Sequence, residues 1–268
     1  MNRHPTLFVS HGAPTWAMEP GTAGSLLRQV GEALPRPTAV LVVSPHWMTH
    51  GVAVCTAAQP RTIHDFGGFP EALYRLQYPA PGHPQLARVA ADTLSAAGLP
   101  SSLDERRGLD HGAWVPLLHL YPAADVPVFQ VSMPSTLDAP SAWRMGEALA
   151  PLSEQGVLIL GSGSLTHNLY ELQPGATRDA PYAVEFVDWV RDAVRSRDHD
   201  RLRGTLERAP HAARAHPTPE HFLPLLVAAA AAGRDAPVRV LDGGMTYGVI
   251  SMESYLFGDG LRTSLAAS

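Results

Sequence analysis

Thirteen histidines and a single cysteine, Cys55, set the chemistry open to this chain of 268 residues. Three of the histidines recur in one kind of place. LFVSHGAP (7–14) is an apolar run that stops at Ser10 and His11, and AVLVVSPHW (39–47) stops at Ser44, Pro45 and His46. VLILGSGSLTHN (157–168) passes through a glycine–serine turn to His167. A lone loop histidine is commonly structural or solvated, but three that each end a buried-looking strand at the same relative place point to a shared task. Neutral imidazoles without thiolates suit zinc or iron(II). A fourth histidine, His221 in HPTPEHFLPLL, follows Thr218 as a helix N-cap and Pro219 at the first helical position. That places it in the first turn of a helix predicted over 219–232. A helix N-terminus disfavours imidazolium and keeps the ring in the neutral form that a metal requires. The competing reading is a polar first-turn residue facing water.

The other histidines divide by context. His111, in GLDHGAW, lies between a polar loop and the start of an apolar helical run, where a cap or turn residue is the ordinary reading. His64, in IHDFGGFPEALY, sits beside Asp65 and three aromatics, either as a pocket wall or in a packed surface loop. His119 falls within the apolar run and reads as core; His4, His50, His83, His199 and His211 read as solvated. Familiar catalytic motifs are missing. There is no H-E-x-x-H, and GSGSL (161–165) has neither the G-x-S-x-G order of a nucleophile elbow nor G-x-G-x-x-G. All 20 Lys-plus-Arg residues are arginine, which removes Schiff-base, pyridoxal-phosphate and P-loop lysine chemistry together.

Histidines at strand ends need a sheet to align them. Strands are predicted over 6–10, 39–44, 52–56, 126–132, 157–161, 238–242 and 248–251, mostly as continuous β-branched runs that suit burial on both faces. Helices are predicted over 22–33, 84–97, 139–155, 182–197 and 219–232. The alternation predicts a single α/β domain, 1–268, with helices flanking a mostly parallel sheet. The sheet should be mixed, because Val52 follows the second strand too closely for a crossover helix. Ligands of such sheets bind beyond the carboxyl ends of the strands, where His11, His46 and His167 would stand. The long loops over 59–82 and 101–112 are of a length that usually carries function.

Composition closes off other classes. A hydrophobic fraction of 45% fills a core, and a net charge of −5 without basic or acidic blocks points to neither nucleic acid nor an anionic membrane. The N-terminus lacks a basic segment followed by a long apolar run, and LLVAAAAAG (225–233) is too short to span a bilayer. The expectation is a cytoplasmic enzyme. One cysteine excludes an internal disulfide and a cysteine metal cluster.

Taken in order, VSHGAP, VVSPHW, IHDFGGFPEALYRLQYPAPG, LDHGAW, GSGSLTHNL and PTPEHFLPLL resemble the class III (LigB-like) extradiol ring-cleaving dioxygenases of the DOPA 4,5-dioxygenase type, from about residue 6 to 255. The resemblance implies a non-haem iron(II) enzyme that opens a catechol ring beside its two hydroxyls and inserts both atoms of O2. It implies His11, His46 and His221 as metal ligands. His167 matches the family's acid/base and is a further ligand candidate where Zn(II) occupies the site, and His111 matches a histidine near the substrate oxygens. Many members complete the site with a carboxylate. The candidate here is Glu220, and since helical neighbours diverge by about 100° only Glu220 or His221 should face the metal. His221 is preferred, and an all-histidine set suits zinc as well as iron. A zinc hydrolase and a non-catalytic metal-binding relative remain alternatives. For the substrate, His64, Phe69 and Trp47, with Phe66, Trp114 and Tyr78, are candidates for an aromatic wall, and Arg61 or Arg75 for a partner to a substrate carboxylate.

Overall fold

The computed structural model describes residues 3–259. Eight strands form one sheet in the order β4-β3-β5-β2-β6-β1-β10-β7. The ranges are β1 Thr6–Ser10, β2 Ala39–Thr49, β3 Val52–Cys55, β4 Ser101–Asp104, β5 Val128–Pro134, β6 Val157–Gly163, β7 Val238–Leu241 and β10 Ser254–Phe257. Between the last two, β8 Met245–Thr246 and β9 Ile250–Ser251 pair as a separate ribbon. The centre is parallel: β2 pairs with β5 and β6, and β6 with β1. Antiparallel pairing begins at the flanks, where β3 meets β5 and β10 meets β1 and β7. The sheet is therefore mixed and mostly parallel at its core, as the short β2–β3 connection predicted.

The continuous apolar runs of β1 and β6 are buried along their whole length because helices cover both faces. Helix Leu223–Ala232 is apolar all round and sits between the sheet and helix Ala139–Leu149, a sequence pattern that fits only an interior position. A side chain at Gly161 would collide with the carbonyl of Pro224, and one at Gly163 with that of His221. Gly161 and Gly163 thus let the segment from His221 to Pro224 press closely onto β6.

Several boundaries differ from the sequence-based expectation, each for a physical reason. β2 continues through His46 to Thr49, with its register against β5 shifting between Val43 and Met48. His46 therefore stands in a bulge, a device that re-aims side chains, and not beyond a strand end. β4, β8 and β10 lie outside the expected strands: β4 is a half-exposed polar edge, SSLD, β8 is a two-residue ribbon strand, and β10 is defined by its antiparallel pairing with β1 and β7. Helix 219–232 begins later, at Leu223, so His221 belongs to the preceding turn; Thr218 donates to Glu220 Oε1 (3.0 Å) and caps nothing. The expected helix 139–155 ends at Leu149 and tightens into the 3-10 segment Ala150–Gln155. The apolar run from His111 is a helix, His111–Leu120. His119 is core, with Nε2 3.0 Å from the Trp16 carbonyl, whereas His4, expected in solvent, is buried against Pro35. Among the described residues no helix is long and apolar enough to cross a membrane.

Candidate metal centre

Ser10 pairs with Gly163 across the parallel β1–β6 ladder, so these two strands end level, and His11 N–H donates to the Gly163 carbonyl (2.9 Å). The bulge in β2 turns His46 toward the same point, and the turn before Leu223 brings His221 over it. One ring nitrogen from each of His11, His46 and His221 lies within 4.8 Å of the others. Nε2 of His11 and Nε2 of His46 are 3.1 Å apart.

The outer nitrogens explain why the inner ones are bare. Ser162 Oγ donates to the Gly112 carbonyl, so toward His11 Nδ1 (3.0 Å) it accepts, which fixes the hydrogen of His11 on Nδ1. Glu220 Oε1, 2.9 Å from His221 Nδ1, does the same for His221. Asp65 Oδ2 stands 3.6 Å from His46 Nδ1 and 3.0 Å from His111 Nδ1, and its other oxygen accepts from the His111 backbone N–H (2.9 Å). The Nε2 atoms of His11 and His221 are then left with lone pairs, and that of His221 is buried without a hydrogen-bond partner. An orphaned buried acceptor beside the converging Nε2 atoms of His11 and His46 is costly unless a cation satisfies it. The residues present fit a borderline divalent ion.

Electrostatics agree. Burial holds His11 and His221 well below the usual imidazole range, helped by their histidine neighbours. Burial and then the charge of His111 take His46 down to about 4, against the pull of Asp110 and Asp65. Burial alone would raise Asp65, but its hydrogen bond and charge interaction with His111 bring it to about 2. The site is thus neutral imidazole inside and carboxylate just behind. Glu220 and His221 do not compete for one direction, as their helical spacing had suggested; in a turn the carboxylate backs the ring, and the two outer anions offset the charge of a divalent ion.

Beside this triad, His167 is held by its backbone N–H to Ala215 (2.8 Å) and by stacking of its ring on His221 at 3.4 Å between centroids. Burial takes it down to about 4, with Glu220 opposing. His111 opens its helix; its preceding residue, Asp110, is fully buried and accepts from Ser44, Gln130 and Arg107. Gly112 is required there, because a side chain would strike Ser44 Oγ and crowd His46. All five histidines open onto one cavity of about 380 Å³, walled by Phe66, Phe69, Pro14, Leu169, Leu172 and Ile250, with Tyr247 at one side.

Other candidates stand elsewhere. His64 turns its Nε2 to the Leu76 carbonyl (3.0 Å) and packs behind Phe66. Trp47 is buried with Ala53, Cys55 and Ala57, and Arg107 lies over its ring. Neither borders the cavity, nor do Trp114 and Tyr78. Arg75 is an exposed surface partner of Glu71, and Arg61 is also exposed. Sequence reading missed Tyr247, whose backbone lies in the left-handed region (φ 52°), and His216, which is buried beside Phe222 and bonds the Leu165 carbonyl (2.9 Å) ahead of His167. The HP pair at 216–217 was the available signal.

A histidine-lined candidate metal site at the carboxyl edge of a mixed α/β sheet, opening onto a largely apolar pocket, suits a metal-dependent enzyme. The chain belongs to the LigB family, described as the catalytic LigB subunit of aromatic ring-opening dioxygenase, whose model matches residues 4–258. It is 41% identical to a 4,5-DOPA dioxygenase extradiol of Beta vulgaris, with 94% of this chain and 96% of that one covered. It is 39% identical to the protein of the same name from Escherichia coli K12, over 96% of this chain and 95% of that one. A crystal structure of an uncharacterised Escherichia coli K12 protein superposes with a TM-score of 0.77 at 31% identity, covering 96% of this chain and 100% of that one. The protein is an extradiol aromatic ring-opening dioxygenase, and neither the hydrolase nor the non-catalytic alternative is favoured by these relatives.

Proposed function

We propose that this enzyme uses Fe(II), held by His11, His46 and His221, to cleave a ring-substituted catechol of the DOPA-like class beside its hydroxyls. The observation that carries the ligand set is the orphaned Nε2 of His221 beside the converging Nε2 atoms of His11 and His46, with the rings of His11 and His221 held from behind. When bound, Fe(II) supplies the redox chemistry that lets O2 react with an aromatic diol; zinc fits the same nitrogens, and binds more tightly in the usual order, but has no redox chemistry.

The chain's own residues do the rest. Phe66 and Phe69 form an aromatic wall for the ring, with His64 packed behind Phe66. His167 is a neutral base on the cavity wall; it takes the proton of the second hydroxyl and returns it as the ring opens. His111, whose Nδ1 lies 3.0 Å from Asp65, faces the substrate oxygens from the cavity wall and stabilises the developing oxyanion. The apolar wall limits water around these transfers. Reconstitution of the metal-free protein with Fe(II) or with Zn(II), each assayed with catechols in air, tests the reading. Oxygen uptake with a yellow semialdehyde product is expected from iron alone; ring cleavage by a verified iron-free zinc form would falsify it.

A further inference from the structure

His46 lies where the sheet ladder lets go of its strand. The register of β2 against β5 ends at Val43 and resumes at Met48, and against β6 it ends at Val43. Within that gap the backbone groups of His46 are taken up by side chains. Its N–H donates to Ser44 Oγ (3.2 Å), and its carbonyl accepts from Arg107 Nη2 (3.0 Å). Both side chains end on Asp110, which is fully buried. Ser44 Oγ donates to Asp110 Oδ1 (2.9 Å), while Oδ2 accepts from Arg107 Nη2 (3.0 Å) and from Gln130 Nε2 (2.9 Å). A carboxylate paired with a guanidinium only accepts, so it draws the Ser44 hydroxyl hydrogen to itself and leaves the oxygen lone pairs for His46. The Arg107 guanidinium also lies over the ring of Trp47, 5.2 Å from its centroid, so the residue after His46 meets the same side chain. Asp110 in turn precedes the helix of His111, and its carbonyl accepts from the N–H groups of Ala113 and Trp114 (2.9 Å each).

Resting on the ligand role proposed for His46, we infer that Asp110 is a positioning residue which, acting through Ser44 and Arg107, holds the β2 bulge and aims His46 at the metal. A bulge bends its strand and leaves backbone groups without ladder partners, so its side chains are only as well aimed as the contacts that replace the ladder. Here one carboxylate governs both the N–H and the carbonyl of His46, each through one intermediary. Because the same residue starts the helix of His111, the metal-side and substrate-side histidines are tied to one buried point. Trp47 has its place in this arrangement too, as the ring beneath Arg107 and outside the cavity. Asp65 does a different job, since it faces the ring of His46 and not its backbone.

Zinc affinity of the metal-free protein tests this, read by competition with a chromophoric chelator at a temperature where circular dichroism shows each variant folded. Ser44→Ala and Arg107→Met should each lower the affinity about 10–100-fold, the usual scale for groups behind a ligand. Arg107→Lys, which keeps a cationic donor for Asp110, should recover part of it. Folded variants that bind zinc as the parent does overturn the inference, because a residue needed for stability alone leaves the affinity of the folded site unchanged. Should Arg107→Met fail to fold with Asp110 left as an unpaired buried charge, Ser44→Ala decides. His46→Ala supplies the second arm. Its residual zinc affinity, titrated at higher metal concentration, should change by about twofold or less when Arg107→Met is added, as for two residues acting through one contact. A full further loss there would place the action of Arg107 on another ligand and overturn the inference. Parent-like zinc binding by His46→Ala would instead overturn the ligand reading, whereas a loss confined to His46→Ala defeats the positioning role alone.

Discussion

His221 and His167 lie face to face, yet the protein holds them in different ways. His221, like His11, is locked from behind by an oxygen that decides which nitrogen bears the hydrogen, and His46 has Asp65 on its outer side. His167 is placed by a backbone contact and by stacking. A metal ligand must present one lone pair in one direction at all times, so a fixed tautomer stabilises the site. A group that takes and returns a proton has to exist in both forms, and a rigid outer acceptor would favour one of them. The contrast supports the proposed division, with metal binding on the backed rings and proton traffic on the stacked one.

The largest expected effect lies on the backed side. His11→Ala, His46→Ala and His221→Ala should each abolish stoichiometric metal binding, measured by metal analysis after dialysis, while circular dichroism stays close to that of the parent. Full occupancy in all three would end the division of roles. Next in size is His167→Ala, which should keep iron and bind catechol but lose about 10²–10⁴-fold in kcat, the usual range for an acid/base. Parallel loss of metal and turnover would instead make His167 a fourth ligand.

Legibility in the sequence divides along similar lines. His11 and His167 follow short β-branched strands, and such runs announce both the strand and its end. His46 was found by the same pattern although its strand runs on, because Pro45 and the bulge are local features. Asp65, Glu220 and Ser162 were visible only as neighbours of other motifs. Their work is defined by contacts between segments that the chain separates widely, as for Ser162 with His11 and Asp65 with His111. Tyr247 and Leu169 were unreadable for the same reason: a cavity wall gathered from several loops has no period. The IHDF–YPAPG block carried the family resemblance strongly, yet His64 packs behind the wall it was expected to form.

The outer oxygens give the third effect. Asp65→Asn removes the anion shared by His46 and His111, and should cost about 10–100-fold in metal affinity or activity, the usual scale for groups behind a ligand. Metal titration separates this from a loss of packing, since Asp65→Glu should recover part of the affinity. Unchanged affinity in Asp65→Asn would show that the bulge alone aims His46.

A smaller effect concerns pH in the metal-free protein. His46, His167 and His216 are held at about 4, against an ordinary value of 6.5. Between those values the unfolded chain binds protons that the folded one refuses, so stability is complete above about 6.5 and falls as pH drops toward 4. The Tm of the metal-free protein should decline through this window. His216→Gln, which keeps a donor for the Leu165 carbonyl, should flatten the decline; an unchanged slope would mean the buried rings are not its source.

The smallest expected effect sharpens the comparison within the long loop itself. Phe69 borders the cavity whereas His64 lies behind Phe66 and bonds the Leu76 carbonyl, although the two are close in one motif. Truncating Phe69 to Ala removes ring contact and opens the wall, so KM for a catechol should rise several-fold, in line with a loss of about 1 kcal/mol, the lower end for such pocket changes. His64→Ala removes only a strut within the loop. It should lower Tm slightly and leave the ranking of catechols unaltered, while Phe69→Ala changes that ranking without affecting metal content. If His64→Ala reorders the catechols and Phe69→Ala does not, the loop closes over the substrate with the opposite face inward, and the wall described for the open cavity is not the one that meets the ring.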